Sequence, residues 1–357
     1  MASAKSDDAV QRLIRACYAA GDDLGSLREG LLHSLNRIVP FDASFMASAD
    51  PGTLLFTRAL ADDDLVTSAP QFLDNEFSVV PDVNRFAGLA LAADPVASLD
   101  VATSGDRSAS ARWRDIMSPI GMGDELRVAM RVDKTTWGYL CLHRSGPLGF
   151  SATEMAVLRI MAPHAGEALR RGATAAITNS DGSTATEGTE SVILAENGIV
   201  LAVAGEFVSL DGKPLQIGER LPIPLAAVAR RLEAIESSEG GAGTLPPAAI
   251  RITARSGTLV TVHASRLRYS SGNGPVVLTV VAADAAERSS FLLAVHGLTP
   301  AQCRVAMLVL QGRTTAQIVA NLSISPHTVQ DHLKAVFDKV GVRSRRELVS
   351  AMMNPSH

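Results

Sequence analysis

Between Leu298 and Met352 the chain carries four helix starts within a span too short for any long element. Thr299-Pro300-Ala301-Gln302 sets a capping hydroxyl before a proline at the first helical position, with a Gln to close the box. Val305, Leu308 and Val309 give this helix an apolar face, and Gly312 ends it. Thr314 and Thr315 open a second helix, Ala316 to Leu322, which buries Ile318 and Leu322. After a turn at Ser323-Ile324, Ser325-Pro326 repeats the cap-plus-proline device, and Gly341 stops the third helix. Ser344-Arg345-Arg346-Glu347 is a further box, opening a short fourth helix with Leu348, Val349 and Met352. Caps and stops this dense exclude strands and long helices, and predict a small all-α domain.

The third helix has two unlike sides. At about 100° per residue, Val329, Leu333, Val336, Phe337 and Val340 fall within about a third of the circumference and form a core stripe. His327, Gln330, Asp331, Lys334 and Asp338 take the opposite side. That row suits the major groove of double-stranded DNA. Gln pairs with adenine, Asp accepts from the cytosine amino group and Lys donates to guanine. The first turn, entered at Ser325, offers free amides and a partial positive charge to a phosphate.

Charge is distributed in the same sense. From Phe291 to His357 there are seven basic residues against three acids, a net of +4, so with −4 overall the remainder holds −8. A basic end on an acidic body is the asymmetry of a chain in which only that end meets a polyanion.

At this point the chain resembles the LuxR-type helix-turn-helix family. The resemblance rests on Leu298-Thr299-Pro300, Gly312, Ile318, Leu322, the run Ile324 to Leu333, Lys339, Gly341-Val342, Ser344-Arg345 and Leu348, with no gap in spacing. It implies that Gln330, Asp331 and Lys334 read bases, that Thr315, Thr328 and Lys339 touch the DNA backbone, and that the fourth helix helps form a homodimer. Where the family commonly carries Glu, this chain has Gln302, Arg304 and Gln317. The missing acid at 317 leaves Arg345 without its usual partner. His332 lies on the core flank, where a packed histidine and a phosphate contact are both open.

Upstream, residues 7–172 open and close with helices. Val10, Leu13, Ile14, Cys17 and Tyr18 share one face, and a second helix is expected from Ser26 to Val39. Ala43 to Ala47, Glu125 to Val132 and Trp137 to His143 read as strands, the last two joined by a turn at Asp133-Lys134-Thr135-Thr136. A closing helix starts at the box Ser151-Ala152-Thr153-Glu154, with Pro163 expected to kink it. This order resembles a GAF-like domain. Residues 173–190 are small and polar and read as a linker. Residues 191–290 begin with a hairpin around Asn197-Gly198, continue with a helix near Pro224 to Ile235 and a glycine-rich loop at 240–243, and end in three strands at 249–254, 258–267 and 275–283. The turns between those strands are expected at Arg255-Ser256-Gly257 and at Ser270 to Gly274. That order resembles a PAS-like module. The expected architecture is therefore multidomain: α+β GAF-like and PAS-like sensor domains, then an all-α four-helix LuxR-type domain at 291–357.

Composition bounds the rest. With 46% hydrophobic and 20% charged residues and no apolar run of span length, the chain reads as a soluble, cytoplasmic protein without a membrane segment. Cys17, Cys141 and Cys303 have no CxxC spacing and read as buried reduced thiols. His33, His143 and His164 lack metal-ligand spacing, and His263 sits on an expected strand in a structural role, so neither metal nor cofactor is expected. No phosphate-binding loop, zinc-protease motif or nucleophile elbow occurs, so no enzyme is expected. The expected function is a transcription regulator, gated by a small-molecule effector or partner protein at the sensor modules. The alternative is an interaction protein with residual DNA binding.

Overall fold

The computed structural model describes residues 2–19, 23–178, 190–205, 207, 213–238, 245–254, 258–270 and 272–353. They divide into two compact units, one holding both β-sheets and the other the C-terminal helices. Among the described residues, no helix is long and apolar enough to cross a membrane.

The first unit begins with α1 (Ala2–Ala19) and α2 (Leu24–Leu35), then β1 (Ala43–Ala49), β2 (Phe56–Ala61), α3 (Asp63–Phe77), α4 (Phe86–Leu91), β3 (Val96–Ser98) and α5 (Leu99–Ala102). Strands β4 (Met122–Val132) and β5 (Thr135–Ser145) and the long helix α6 (Ala152–Thr178) complete the first half. Its sheet has the order β2-β1-β5-β4-β3. Glycines let α6 approach closely. A Cβ on Gly138 would meet Leu169 of α6 and the Ala47 carbonyl at 2.4 Å, and one on Gly166 would lie 3.0 Å from the backbone of β4. Tyr139, Cys141 and His143 alternate along β5 and share the opposite face.

Helix α2 starts two residues before the expected position because Asp23 caps it, accepting from the Ser26 amide at 2.9 Å. The β4–β5 turn is tighter than expected. Asp133 adopts the left-handed conformation (φ 53°), which lets β5 begin at Thr135. The box at Ser151 forms in both directions, and α6 runs through Pro163 to Thr178. Residues 173–178, expected as linker, are thus helical, as the three alanines there favour. The expected linker residues 179–189, the loop at 240–243 and the turn at 255–257 lie outside the described residues. Helix α3 has no counterpart in the sequence reading.

A second sheet comprises β6 (Glu190–Leu194), β7 (Val200–Ala204), β8 (Ala249–Thr253), β9 (Leu259–Tyr269) and β10 (Gly272–Ala282), with α7 (Ile223–Ser237) packed on it. Its order is β7-β6-β10-β9-β8, which repeats the connectivity of the first sheet strand for strand. The two sheets share one hydrophobic core: Phe56 and Tyr139 cluster with Leu225, Val228 and Ile250. Buried Asp50 follows β1 and accepts from the Arg251 amide and Nε at 2.8 and 2.9 Å, which ties β8 to the first sheet.

The second unit is helical: α8 (Ala285–Val295), α9 (Pro300–Leu310), α10 (Thr315–Leu322), α11 (Pro326–Val340) and α12 (Arg345–Met353). Helix α8 precedes the four expected helices and packs on α9 and α12. A complete box between Asp284 and Glu287 starts it, so it runs across the expected boundary at 290–291. Boxes also form at Thr299–Gln302 and Thr314–Gln317. At Ser344, Glu347 reaches back to the amide of Arg343 (2.8 Å) rather than that of Ser344.

Candidate nucleic-acid interface and sensor cavity

Helix α11 begins where Ser325 Oγ accepts from the Thr328 amide at 3.0 Å and Pro326 supplies the first helical residue. It ends at Gly341 (φ 77°). Such a cap contributes about 1 kcal/mol. The turn before it forces Ser323 into the left-handed region (φ 52°), where glycine would be less strained. Val329, Leu333 and Val336 are buried, while Phe337 and Val340 are half-buried at the margin of the stripe. Leu308 and Leu322, expected inside, are half-buried, because each lies at the edge of a short helix's buried face.

The polar row is open to solvent. Gln330, Asp331, Lys334 and Asp338 are exposed, and so is His327, whose Nδ1 lies 2.9 Å from Asp331 Oδ2 one turn away. These five residues span about 100° of the helix at 100° per residue. Thr328, half-buried, and Lys339 flank the row. The ammonium of Lys339 donates to the Gly297 carbonyl at 2.7 Å, so a phosphate would have to share it with that bond. His332 is half-buried.

Thr315 sits at the start of α10, half-buried. Its Oγ1 accepts from Arg345 Nη2 at 2.9 Å, and Arg345 Nη1 donates to the Arg313 carbonyl at 2.9 Å. Arg345 is therefore not left without a partner. Two neutral oxygens replace the missing acid, because Gln317 turns its side chain back to cap α10. The Thr315 hydroxyl proton stays available to an incoming oxygen, since here the oxygen acts as acceptor.

A second candidate site lies inside the first unit. A cavity of about 50 Å³ lies between α3 and the sheet, walled by Phe45, Phe56, Phe72 and Phe86 and by the polar groups of Glu76, Glu125, Arg127, Cys141 and His143. Glu125 is fully buried, with Arg112 Nε and Nη2 2.9 and 2.7 Å from its Oε2. Arg127 Nε lies 3.0 Å from the same oxygen without hydrogen-bond alignment, and Arg127 Nη1 donates to Glu76 at 2.7 Å. Burial alone would raise the Glu125 carboxyl, but the two guanidiniums outweigh it and hold it down to about 2. Burial lowers His143 to about 4, so its imidazole is neutral, and raises the Cys141 thiol well above its ordinary range.

Sequence reasoning missed this cluster. Cys141 and His143 lack the familiar metal-ligand spacings, yet alternate residues of one strand share a face, and the i, i+2 pair is the available signal. Glu125, Arg112 and Glu76 arrive from other elements and carry no local signal. Cys17 and Cys141 are buried as expected, whereas Cys303 is half-buried on α9, a helix with a solvent side.

A wider cleft of about 500 Å³ opens between β2, α3 and α7, with Arg58, Arg220 and Arg230 on its wall. That volume is in the range of small-molecule pockets.

Residues 296–352 match the family described as bacterial regulatory proteins, luxR family, and residues 29–169 match the GAF domain. The chain carries a LuxR-type helix-turn-helix domain and a GAF domain. Among solved structures it is similar to the chromophore-binding domain of an unusual bacteriophytochrome, RpBphP3 from R. palustris, at 15% identity over 46% of this chain and 60% of that one, with a TM-score of 0.32. It is similar to the VqsR LBD domain from Pseudomonas aeruginosa, at 16% identity over 47% of this chain and 96% of that one (TM-score 0.31). It is also similar to Escherichia coli SdiA, at 12% identity over 93% and 90% of the two chains (TM-score 0.31). The chain spans less than two thirds of the bacteriophytochrome fragment. No curated protein matches it.

Proposed function

We propose that this chain is a cytoplasmic, sensor-gated transcription regulator and not an enzyme. It binds double-stranded DNA with α11 in the major groove. The observation that carries the reading is the division of α11 into a buried aliphatic stripe and a solvent-open row of Gln330, Asp331 and Lys334. In this reading those three side chains meet base edges. Thr315, Ser325 and Thr328 hold phosphates, and Lys339 joins them while keeping its bond to Gly297. The His327–Asp331 contact orients the Asp331 carboxylate before DNA arrives. Two copies bind an inverted repeat, with half-sites about one helical turn apart.

The first unit senses. Its GAF domain at 29–169 supports that role, and the cleft beside α7 has the volume for a small effector. Residues 190–282 serve as a second, PAS-like module, a reading supported by the repeated strand order.

The test is selection of bound fragments from a random double-stranded DNA pool by the full-length protein at fixed salt. Enrichment of an inverted repeat is expected. A pool that stays unenriched, or one bound equally well by a Gln330→Ala/Lys334→Ala variant, would overturn the assignment.

A further inference from the structure

The polar wall of the sensor cavity has the makings of a metal centre. We propose that Cys141, His143 and Glu125 form a binding site for a thiophilic divalent transition-metal ion of the zinc class. This goes beyond the DNA-binding reading and does not depend on it.

The ligand atoms of the three residues lie within 4.8 Å of one another, and all three residues are buried. Cys141 Sγ is 3.3 Å from Glu125 Oε1 and 3.3 Å from His143 Nε2. A tetrahedral zinc site with ordinary bond lengths separates sulfur from such nitrogen and oxygen atoms by roughly 3.4 to 3.6 Å, so the two contacts to sulfur need to open by only a few tenths of an ångström. Sulfur, imidazole and carboxylate together form a donor set that zinc accepts.

Without an ion, weak sulfur hydrogen bonds are what links Cys141 to its two neighbours. The thiol donates to Glu125 Oε1, and the sulfur can at most accept weakly from the His143 tautomer that carries its proton on Nε2. When the ion binds, the S–H bond breaks, the proton leaves to solvent and the thiolate electron pair forms the metal–sulfur bond. Metal then takes one atom from each residue.

The surroundings hold the ligands in place. Cys141 and His143 are fixed on one face of a central strand, β5. Both guanidinium contacts to Glu125 go to Oε2, which orients the carboxylate and leaves Oε1 for the ion. Three protein ligands leave the fourth position toward the cavity, where water or an effector atom completes the tetrahedron.

The experiment uses full-length, metal-stripped protein in a non-thiol reductant. It is titrated with Co(II) as the optical probe, then with Zn(II) in competition. The expected result is one Co(II) per chain, with thiolate-to-cobalt charge-transfer absorption and intense tetrahedral ligand-field bands, all displaced by Zn(II). His143→Gln should weaken binding at least tenfold. A Cys17→Ala/Cys303→Ala variant, which keeps Cys141 as its sole thiol, should retain the full spectrum even if Cys141→Ser proves unstable. The proposal fails if wild-type protein takes up no stoichiometric cobalt. It fails equally if the charge-transfer band survives Cys141→Ser or disappears from the variant that retains only Cys141.

Discussion

Arg345 at the start of α12 holds the hydroxyl of Thr315 at the start of α10, with Nη2 2.9 Å from Oγ1. The same guanidinium takes the Arg313 carbonyl at 2.9 Å, so one residue fixes the entry to the helix that precedes α11. A charged donor on neutral acceptors couples the two residues. A double-mutant cycle of Arg345→Ala and Thr315→Val, followed by urea unfolding without DNA, should give a coupling of about 0.5–1.5 kcal/mol. Strict additivity would mean that the contact does not hold α10 to α12 in solution.

Lys334 and Lys339 should separate in their effects. Lys334 stands in the open row, so Lys334→Ala should cost about 1–3 kcal/mol of binding to a selected DNA site and relax its sequence preference. Lys339 donates to Gly297 and in the proposed reading also meets a phosphate, so Lys339→Ala should lower thermal stability and reduce the salt slope of DNA binding by about 1. Binding isotherms at several salt concentrations, read beside melting curves, distinguish the two. Equal salt slopes for the two variants would contradict the assignment.

The buried pair of Arg112 and Glu125 should be expensive to break. Both side chains have no solvent exposure, so Arg112→Met leaves a carboxylate without its main partner, at a cost of about 3–5 kcal/mol. Adding Glu125→Gln removes that stranded charge and should restore part of the loss. The shift of the urea midpoint at constant slope is the measurement, and a double variant no better than the single one would argue against a charge origin.

Glu154 should contribute to the acid limb of stability. Burial raises its carboxyl, but bonds from Arg144 (2.6 Å) and from the Ser151 amide (2.7 Å) outweigh that and hold it below its ordinary value. A depressed folded pKa adds stability that is fully present above the unfolded value of about 4.3 and is lost as pH falls through the folded one. Glu154→Gln keeps an acceptor for the box but does not titrate. Its stability should therefore fall less steeply than that of the native chain as pH drops below about 4.3. Parallel curves would remove Glu154 from the account.

The C-terminal helices were legible because their signals are local. A hydroxyl cap, a proline and a stop glycine act on backbone groups within four residues, so Thr299, Thr314, Ser325 and Gly341 fix element ends wherever the segment lies. The α11 stripe follows from periodicity alone. The Asp284 box is equally local and could have been read, which would have moved the start of the helical unit to α8.

What the sequence by itself determined, then, is the set of short capped helices and the outward row on α11, because both depend on near neighbours along the chain. The tertiary structure decided which distant groups meet. It brought Glu125 beside Cys141 and His143, seated Arg112 and Glu76 around the same cavity, gave Arg345 new oxygens in place of an acid, and joined the two sheets through Asp50 and Arg251. Those pairings depend on strand order and helix packing, which place residues side by side that no spacing rule connects.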